Sequence, residues 1–164
     1  MGIDPGSHCT GFGIVEERGR HLTGVHWGSV RNTARRSFPE RLKAIYDELA
    51  QAIQTFTPDA IAVEDLFFAA NAKAALKLGQ TRGVTLLAAV HAGTPIAEYS
   101  PLEVKQAVVG YGRADKHQVR EMVTMLLHLK EKPEPFDAAD ALAVAICHIH
   151  SAGHPASLST KRAP

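Results

Sequence analysis

Four carboxylates lie in or directly after apolar segments of this chain, where an unpaired charge is costly. Asp4 ends the run MGID, Glu64 follows AIAV, and Asp137 and Asp140 open the alanine-rich segment DAADALAVAI. An ionised carboxylate that is removed from water is normally paired with a cation or bound to a metal. The fold must therefore bring these side chains to a partner, and a divalent cation is the first candidate.

Size and composition predict a single cytoplasmic domain. The chain has 164 residues, of which 45% are hydrophobic and 21% are charged, as in soluble globular proteins. No apolar run approaches the roughly 18 residues of a membrane span, and no secretory signal is recognisable. Cys9 and Cys147 lack metal-ligand spacing and are expected to be reduced thiols. We expect one domain over residues 1–150 and a flexible tail over residues 151–164, which lack apolar periodicity.

The order of the predicted elements indicates an α/β fold with a five-stranded mixed β-sheet flanked by α-helices. MGID, GFGIVEE and HLTGVHWGSV are predicted as a three-strand meander, and AIAVED and IAEY as two further strands. A helix is predicted from Pro39 because apolar residues recur at spacings of three and four at Leu42, Ile45, Leu49 and Ile53. Further helices are predicted over 69–91, 101–109, 115–129 and 137–150.

This topology predicts that the first two carboxylates meet. The helix after the meander provides a crossover that places the fourth strand beside the first, in parallel. Asp4 and Glu64 then lie together at the carboxyl ends of neighbouring strands, where functional sites of open α/β sheets form. Asp137 and Asp140, three residues apart on a helix, project from one face and would join them.

Such a cluster favours chemistry at a phosphodiester, although each acid has an ordinary interpretation as well. Magnesium prefers carboxylates, waters and phosphates as ligands, and a pair of such ions assists displacement at phosphorus. Taken singly, Asp137 is better explained as a helix N-cap, and a turn residue and a partner of a lysine are the open alternatives for Asp4 and Glu64. Asp140, one turn further into the helix, is harder to explain by capping. A separate explanation for each acid is less economical than one metal site for all four.

A different class of function begins from the glycine-rich segment GIDPGSHCTGFG. Sugar kinases and actin-like ATPases open with a strand, an aspartate and a glycine-rich turn that receives phosphate. Those proteins need two such domains around the nucleotide, and a chain of 164 residues supplies one. The ATPase interpretation is therefore much weaker.

The sequence resembles the crossover (Holliday) junction endodeoxyribonucleases of the RuvC family, in the RNase H-like nuclease superfamily. The resemblance covers residues 2–150 and rests on GIDPGS, VEDLFFAANAKAALKLGQTRGV, VKQAVVGYGRADKHQV and DAADALAVAICH. It implies an RNase H-like fold whose catalytic, metal-binding acids are Asp4, Glu64, Asp137 and Asp140. Members of this family carry a few apolar residues before GIDPGS, whereas only Met1 precedes it here.

The resemblance also implies a function in DNA recombination and repair. It implies a homodimeric, Mg²⁺-dependent nuclease, with two ions per site and Mn²⁺ as a substitute. The enzyme would nick two opposing strands of a four-way DNA junction and leave 5′-phosphate and 3′-hydroxyl ends. A two-fold dimer suits a pseudo-symmetric junction. A junction-binding protein and a branch-migration motor are the implied partners, and no membrane is involved.

Further residues acquire roles through the same resemblance. Phe67 is implied to stack on a base at the opened crossover, and Lys105 and Lys116 to act near the cleaved phosphate. The candidates for an extended phosphate-contacting surface are Lys73, Lys77, Arg82 and Arg113. The dimer-forming region is implied to contain Asn71, Gly79 and Gly83, the glycines being consistent with close helix contact.

Two alternatives remain open at the level of sequence. One is a noncatalytic protein that recognises branched DNA and recruits other factors, and the other is a related nuclease that acts on RNA or on flaps. The histidines next to the acidic segments, among them His8, His148 and His150, are not assigned to the metal, because oxygen ligands suit magnesium better.

Overall fold

The computed structural model of this chain describes residues 1–32, 35–65 and 71–152. Five strands and five helices are formed in these ranges. The strands are β1 (Gly2–Asp4), β2 (Cys9–Arg18), β3 (His21–Arg31), β4 (Ile61–Glu64) and β5 (Ile96–Tyr99). The helices are α1 (Phe38–Phe56), α2 (Ala72–His91), α3 (Pro101–Val109), α4 (Lys116–Leu126) and α5 (Phe136–Ala152).

The strands form one mixed sheet in the order β3-β2-β1-β4-β5. β1, β2 and β3 pair as an antiparallel meander, whereas β4 pairs in parallel with both β1 and β5. The predicted five-stranded mixed sheet and the predicted parallel pairing of the first and fourth strands are confirmed. The short β1 is well anchored, because the Met1 amino group donates to the Ala60 carbonyl oxygen at 2.9 Å.

Local sequence signals explain where α1 begins. Ser37 precedes the helix, Pro39 lies in its first turn, and the Glu40 carboxylate accepts hydrogen bonds from the Ser37 backbone N–H and hydroxyl, both at 2.7 Å. This is the reciprocal pattern of a capping box, which satisfies backbone donors that have no partner within the helix. The buried residues Ile45, Leu49 and Ile53 then turn toward the sheet.

Helices cover both faces of the sheet. On one face, α1 and α2 pack over Ile3, Phe12 and Val63, and on the other, α3, α4 and α5 enclose a second core around Ala62 and Leu142. The middle of α5 is buried, and five of its nine buried residues are alanines. Small side chains let this helix lie close against the centre of the sheet, and so its first turn is held near the ends of β1 and β4.

Several predicted boundaries differ from the structure by a few residues. α4 ends at Leu126 rather than 129, and α5 begins at Phe136 rather than 137. The tail was predicted from Ser151, but Ser151 and Ala152 are the last residues of α5, and residues 153–164 lie outside the described part. Residues 69–70 of the predicted second helix are outside it too. Within the described ranges, no helix is both long and apolar enough to cross a bilayer.

Candidate active site

Asp4 and Glu64 end the two central parallel strands. Asp4 is the last residue of β1 and Glu64 is the last residue of β4, and the register pairs Ile3 with Val63 one position earlier. Their carboxyl groups form a hydrogen bond with each other. The strand topology therefore places the first two acids as predicted, at the carboxyl edge of the sheet.

The remaining two acids are carried there by the start of α5. Asp4 pairs with Gly11 of β2 across the sheet, and a Cβ at Gly11 would overlap the backbone carbonyl oxygen of Asp137. Only a residue without a side chain permits this approach of helix to strand. The interpretation of Asp137 as the N-cap is wrong, because α5 begins at Phe136 and Asp137 already lies in its first turn.

The electrostatics of Asp4 report how closely the four acids converge. Burial raises the pKa of Asp4 well above its usual range, and the charges of Glu64, Asp140 and Asp137 raise that pKa further. The hydrogen bond to Glu64 acts in the same direction, because Asp4 donates its proton. Like charges that meet in a poorly solvated place favour protonation of one member.

The pKa values of Glu64 and Asp140 are also raised. Burial, followed by the charge of Asp140, raises the pKa of Glu64 to about 7, against the opposing effects of the Asp4 hydrogen bond and of Lys105. Burial and the charge of Asp137 raise the pKa of Asp140 to about 6. Clusters of carboxyl groups with raised pKa values are typical of functional sites.

Two lysines bring positive charge to this acidic cluster. Lys105 lies on α3 and Lys116 is the first residue of α4, and both oppose the rise in the pKa of Asp140. The start of α4 is fixed by Asp115, whose carboxylate accepts from the backbone N–H groups of His117 and Gln118 at 2.8 and 3.0 Å. The helices α3 and α4 therefore each bring one ammonium group to Asp140.

The cluster has the donor chemistry that a hard divalent cation requires, although it is not a ready-made cage. Among the residues that the structure describes, no three His, Cys, Asp or Glu side chains are arranged as a finished set of metal ligands. The acids instead share a hydrogen bond and raise one another's pKa. A cation would relieve this repulsion, and all four donors are oxygen, as magnesium prefers.

Cys9 lies at this site although the sequence marked it only as a reduced thiol. It is free, as predicted, and its thiol interacts with the Ser29 hydroxyl and the Asp137 carboxylate. Burial is the main cause that raises the pKa of this thiol. No motif singles out Cys9, because its position follows from the pairing of β2 with β3, which sets it opposite Arg31.

The predicted DNA-contacting residues have different surroundings. Lys73 and Arg113 are exposed, and the Lys77 ammonium lies 5.6 Å from the centroid of the Phe38 ring. Phe67, the predicted stacking residue, lies outside the described residues. These DNA contacts therefore stay predictions.

Arg82 is held by carboxylates of its own chain. Its guanidinium pairs with Asp65 at 3.1 Å and also with Glu98, and its side chain is only 28% exposed. Asp65 directly follows Glu64, and Glu98 lies on β5. This arginine therefore ties α2 to the ends of the parallel strands, which leaves it less available to a phosphate than the predicted contact requires.

Of the predicted dimer residues, Asn71 directly precedes α2, and Gly79 and Gly83 lie on it. Asn71 caps this helix, because its side chain accepts from the Ala74 backbone N–H at 2.9 Å. A Cβ at Gly79 or Gly83 would meet nothing within 4 Å, so these glycines are not explained by close packing inside the chain. Their open surroundings leave contact with a second subunit as a prediction.

Comparison with known proteins places this arrangement in one family. Residues 1–148 match the family described as crossover junction endodeoxyribonuclease RuvC. The crossover junction endodeoxyribonuclease RuvC of Pelobacter propionicus is 54% identical over 92% of this chain and 85% of its own length, and that of Geobacter sp. strain M21 is 51% identical over 99% and 98%. The structure of Thermus thermophilus RuvC in complex with a Holliday junction substrate is 39% identical, with a TM-score of 0.86 over 92% of each chain. The chain therefore belongs to the RuvC family of crossover junction endodeoxyribonucleases.

Proposed function

We propose that this protein is a Holliday junction resolvase that acts in DNA recombination and repair. It nicks two opposing strands of like polarity in a four-way DNA junction by metal-dependent hydrolysis and leaves 5′-phosphate and 3′-hydroxyl ends. The observation that carries the proposal is the convergence of the acids at one edge of the sheet, where Asp4 and Glu64 end neighbouring parallel strands and the first turn of α5 packs against the partner of Asp4. Family membership supports the substrate.

The four acids would hold the catalytic cations. We assign Asp4, Glu64, Asp137 and Asp140 as ligands of Mg²⁺, two ions per site, for which Mn²⁺ would substitute. When bound, such ions activate water for attack on phosphorus and stabilise charge on the attacking and leaving oxygens. The buried strand ends and the first turn of α5 hold the carboxylates in place, and their partial burial limits access of bulk water.

Lys105 and Lys116 add positive charge to this acidic site. Both ammonium groups act on Asp140, and Lys105 acts on Glu64 as well. A cation at this position would orient the backbone phosphate and offset the negative charge that develops during its cleavage. These lysines are assigned to catalysis rather than to recognition of the DNA sequence.

DNA recognition is assigned to the surface around this edge. Lys73, Lys77 and Arg113 would contact phosphates, and Phe67 would stack on a base at the opened crossover. Such stacking is tolerant of base identity. The sequence assigns Arg82 to this surface as well, but its two carboxylate partners favour a structural role.

The exposed face of α2 supports a homodimer. The exposed residues Leu76, Leu87 and Val90, together with Gly79 and Gly83, recur at spacings of three, four and seven. They lie within one stripe, opposite the buried face of the helix. An apolar stripe with small residues permits close helix contact, and a two-fold dimer would present two identical sites to a junction.

The remaining assignments follow from the family. A junction-binding protein and a branch-migration motor are the proposed partners, and the cytoplasm is the proposed location.

A comparison of DNA substrates tests the function directly. A synthetic four-way junction, a plain duplex and a flap of the same sequence are each incubated with the protein, with and without Mg²⁺. We expect paired, symmetric nicks only in the junction and only with the metal. Preferential cutting of the flap would instead indicate a related nuclease of different specificity.

Variants of the acids separate cleavage from binding. Asp4→Asn and Asp140→Asn should still bind the junction but should not cut it, because they remove proposed metal ligands rather than phosphate contacts. Wild-type protein that binds junctions tightly and never nicks them would indicate a noncatalytic junction-binding protein. Normal cutting by either variant would remove the metal site from the proposal.

A further inference from the structure

Phe136 lies between the acids of α5 and the basic residues of α4. It is the first residue of α5 and directly precedes Asp137. The Lys116 ammonium lies 4.5 Å from the centroid of its ring, and the Arg120 guanidinium carbon lies 4.0 Å from it. The His117 ring meets the same ring edge to face, with centroids 5.0 Å apart. One aromatic ring thus contacts three basic side chains of a neighbouring helix.

Without this ring little would hold the Lys116 ammonium. Lys116 is exposed and occupies the first position of α4, where the helix dipole disfavours a positive charge. Its four-carbon stem is flexible, and none of the ion pairs within the described part of the chain includes it. Besides the attraction of Asp140, the aromatic contact is the interaction that restricts where this ammonium lies.

The ring is itself held by Arg120. The Arg120 side chain is only 14% exposed, and its guanidinium donates to the Glu134 carboxylate at 2.7 Å. A guanidinium fixed in this way provides a flat cationic surface on which an aromatic ring stacks favourably. Phe136 is thus anchored by a partly buried arginine while it contacts the exposed Lys116.

The position of Lys116 matters because its charge reaches the acidic cluster. It is one of the two lysines that oppose the rise in the pKa of Asp140. A lysine that swings freely in solvent would spend much of its time too far away to act on this carboxylate or on a phosphate bound beside it.

We propose that Phe136 is a positioning residue, whose ring holds the Lys116 ammonium beside the acids of α5 by a cation–π contact. The inference rests on the proposed role of Lys116 at the cleaved phosphate. It adds a residue whose side chain has no polar atom to the machinery of cleavage. Phe136 acts through Lys116 and does not itself contact the reacting atoms.

The test uses single-turnover cleavage of a four-way junction by the full-length protein with saturating Mg²⁺. Phe136→Leu keeps an apolar side chain but removes the aromatic face, and we expect the cleavage rate to fall about threefold to tenfold. The dissociation constant for the junction should stay unchanged. Phe136→Tyr and Phe136→Trp, which keep an aromatic face, should retain most of the rate.

A double variant distinguishes positioning from a general loss of structure. In a Lys116→Ala background, Phe136→Leu should cause no further loss of rate, because the group that the ring positions is absent. An equal loss in both backgrounds would overturn the inference, and so would a wild-type rate for Phe136→Leu.

Fluorinated phenylalanines at position 136 provide a series that preserves the shape of the ring. Progressive fluorination weakens the negative face of the ring, so the rate should fall in step with the number of fluorines. A rate that is independent of fluorination would contradict the inference. If wild-type protein cuts no junction at all, the proposed function fails first. If wild-type protein cuts the junction and the Phe136 variants cut it equally well, only the proposed role of Phe136 is contradicted.

Discussion

Gly11 of β2 lies directly against the backbone carbonyl of Asp137, so that a strand and a helix meet without a side chain between them. Gly11 is also the register partner of Asp4. Gly11 therefore neighbours two of the four acids: Asp4 on the adjacent strand and Asp137 on the helix that packs against the sheet. The geometry of the site depends on this close approach as much as on the acids themselves.

Gly11→Ala should disturb both stability and cleavage. The new Cβ would overlap backbone atoms of Asp137, which cannot move aside as a flexible side chain can. We expect a loss of about 1–3 kcal/mol in the free energy of unfolding, typical of an overpacked interior, and a large loss of junction cleavage. Denaturant unfolding and nicking assays measure the two effects.

Gly24→Ala is the matched control on the neighbouring strand. A Cβ there would approach the end of the Leu129 side chain at 3.1 Å, which can adjust, and would meet Leu127 and the Trp27 ring at an ordinary contact distance of 3.4 Å. It should cost much less stability and leave cleavage nearly intact. Equal effects of the two substitutions would show that the contact with Asp137 has no special importance.

The sequence predicted the sheet because its signals are local. Apolar runs of strand length, the Pro39 helix start and the crossover rule together determined which strands pair. The same reasoning placed Asp4 beside Glu64, since both end parallel strands. The approach of α5 could not be predicted in detail, because it depends on tertiary packing against Gly11.

Contacts between side chains of distant elements could not be predicted from the sequence either. The sequence predicts that Lys73, Lys77 and Arg82 extend a phosphate-contacting surface, but Glu98 of β5 and Asp65 after β4 lie next to Arg82 and pair with it. The stacking of Phe136 on α4 similarly joins residues separated by a loop. Neither contact has a periodic pattern, since each arises from where two separate elements meet.

The acids should make the metal-free protein less stable as the pH rises. Their pKa values are raised in the folded chain, to about 7 for Glu64 and about 6 for Asp140, so the folded state binds more protons than the unfolded state between about pH 4 and pH 7. Stability is therefore greatest below the unfolded pKa and is lost as the pH rises through the folded values.

Asp140→Asn should remove part of this loss. With a chelator present, we expect the variant to be more stable than wild type at pH 8, by on the order of 2 kcal/mol, and nearly equal to it at pH 4. Mg²⁺ should stabilise wild type at pH 8 more than the variant. Denaturant unfolding across this pH range is the measurement, with the exposed Asp47→Asn as control. A variant less stable than wild type at pH 8 would contradict the repulsion described here.

Arg82→Gln should affect the fold rather than the salt dependence of DNA binding. Loss of the pairs with Asp65 and Glu98 should lower the free energy of unfolding by about 1 kcal/mol. The slope of log affinity for the junction against log salt concentration should stay unchanged, whereas Lys73→Ala should reduce its magnitude by about 1. A reduced slope for Arg82→Gln would restore this arginine to the phosphate-contacting surface.

Leu87→Arg should separate the proposed dimer into folded monomers. Leu87 is exposed on the face of α2 that carries Gly79 and Gly83, so a charge there costs the isolated chain little. In a dimer the same charge would be buried among apolar side chains, and we expect the association to weaken at least about tenfold. Sedimentation over a range of concentrations measures this. Met125→Arg, at an exposed apolar position on α4, should leave the oligomeric state unchanged. A Leu87→Arg protein that stays dimeric would assign the interface to another face, because a charged guanidinium in an apolar contact of this kind would have no partner.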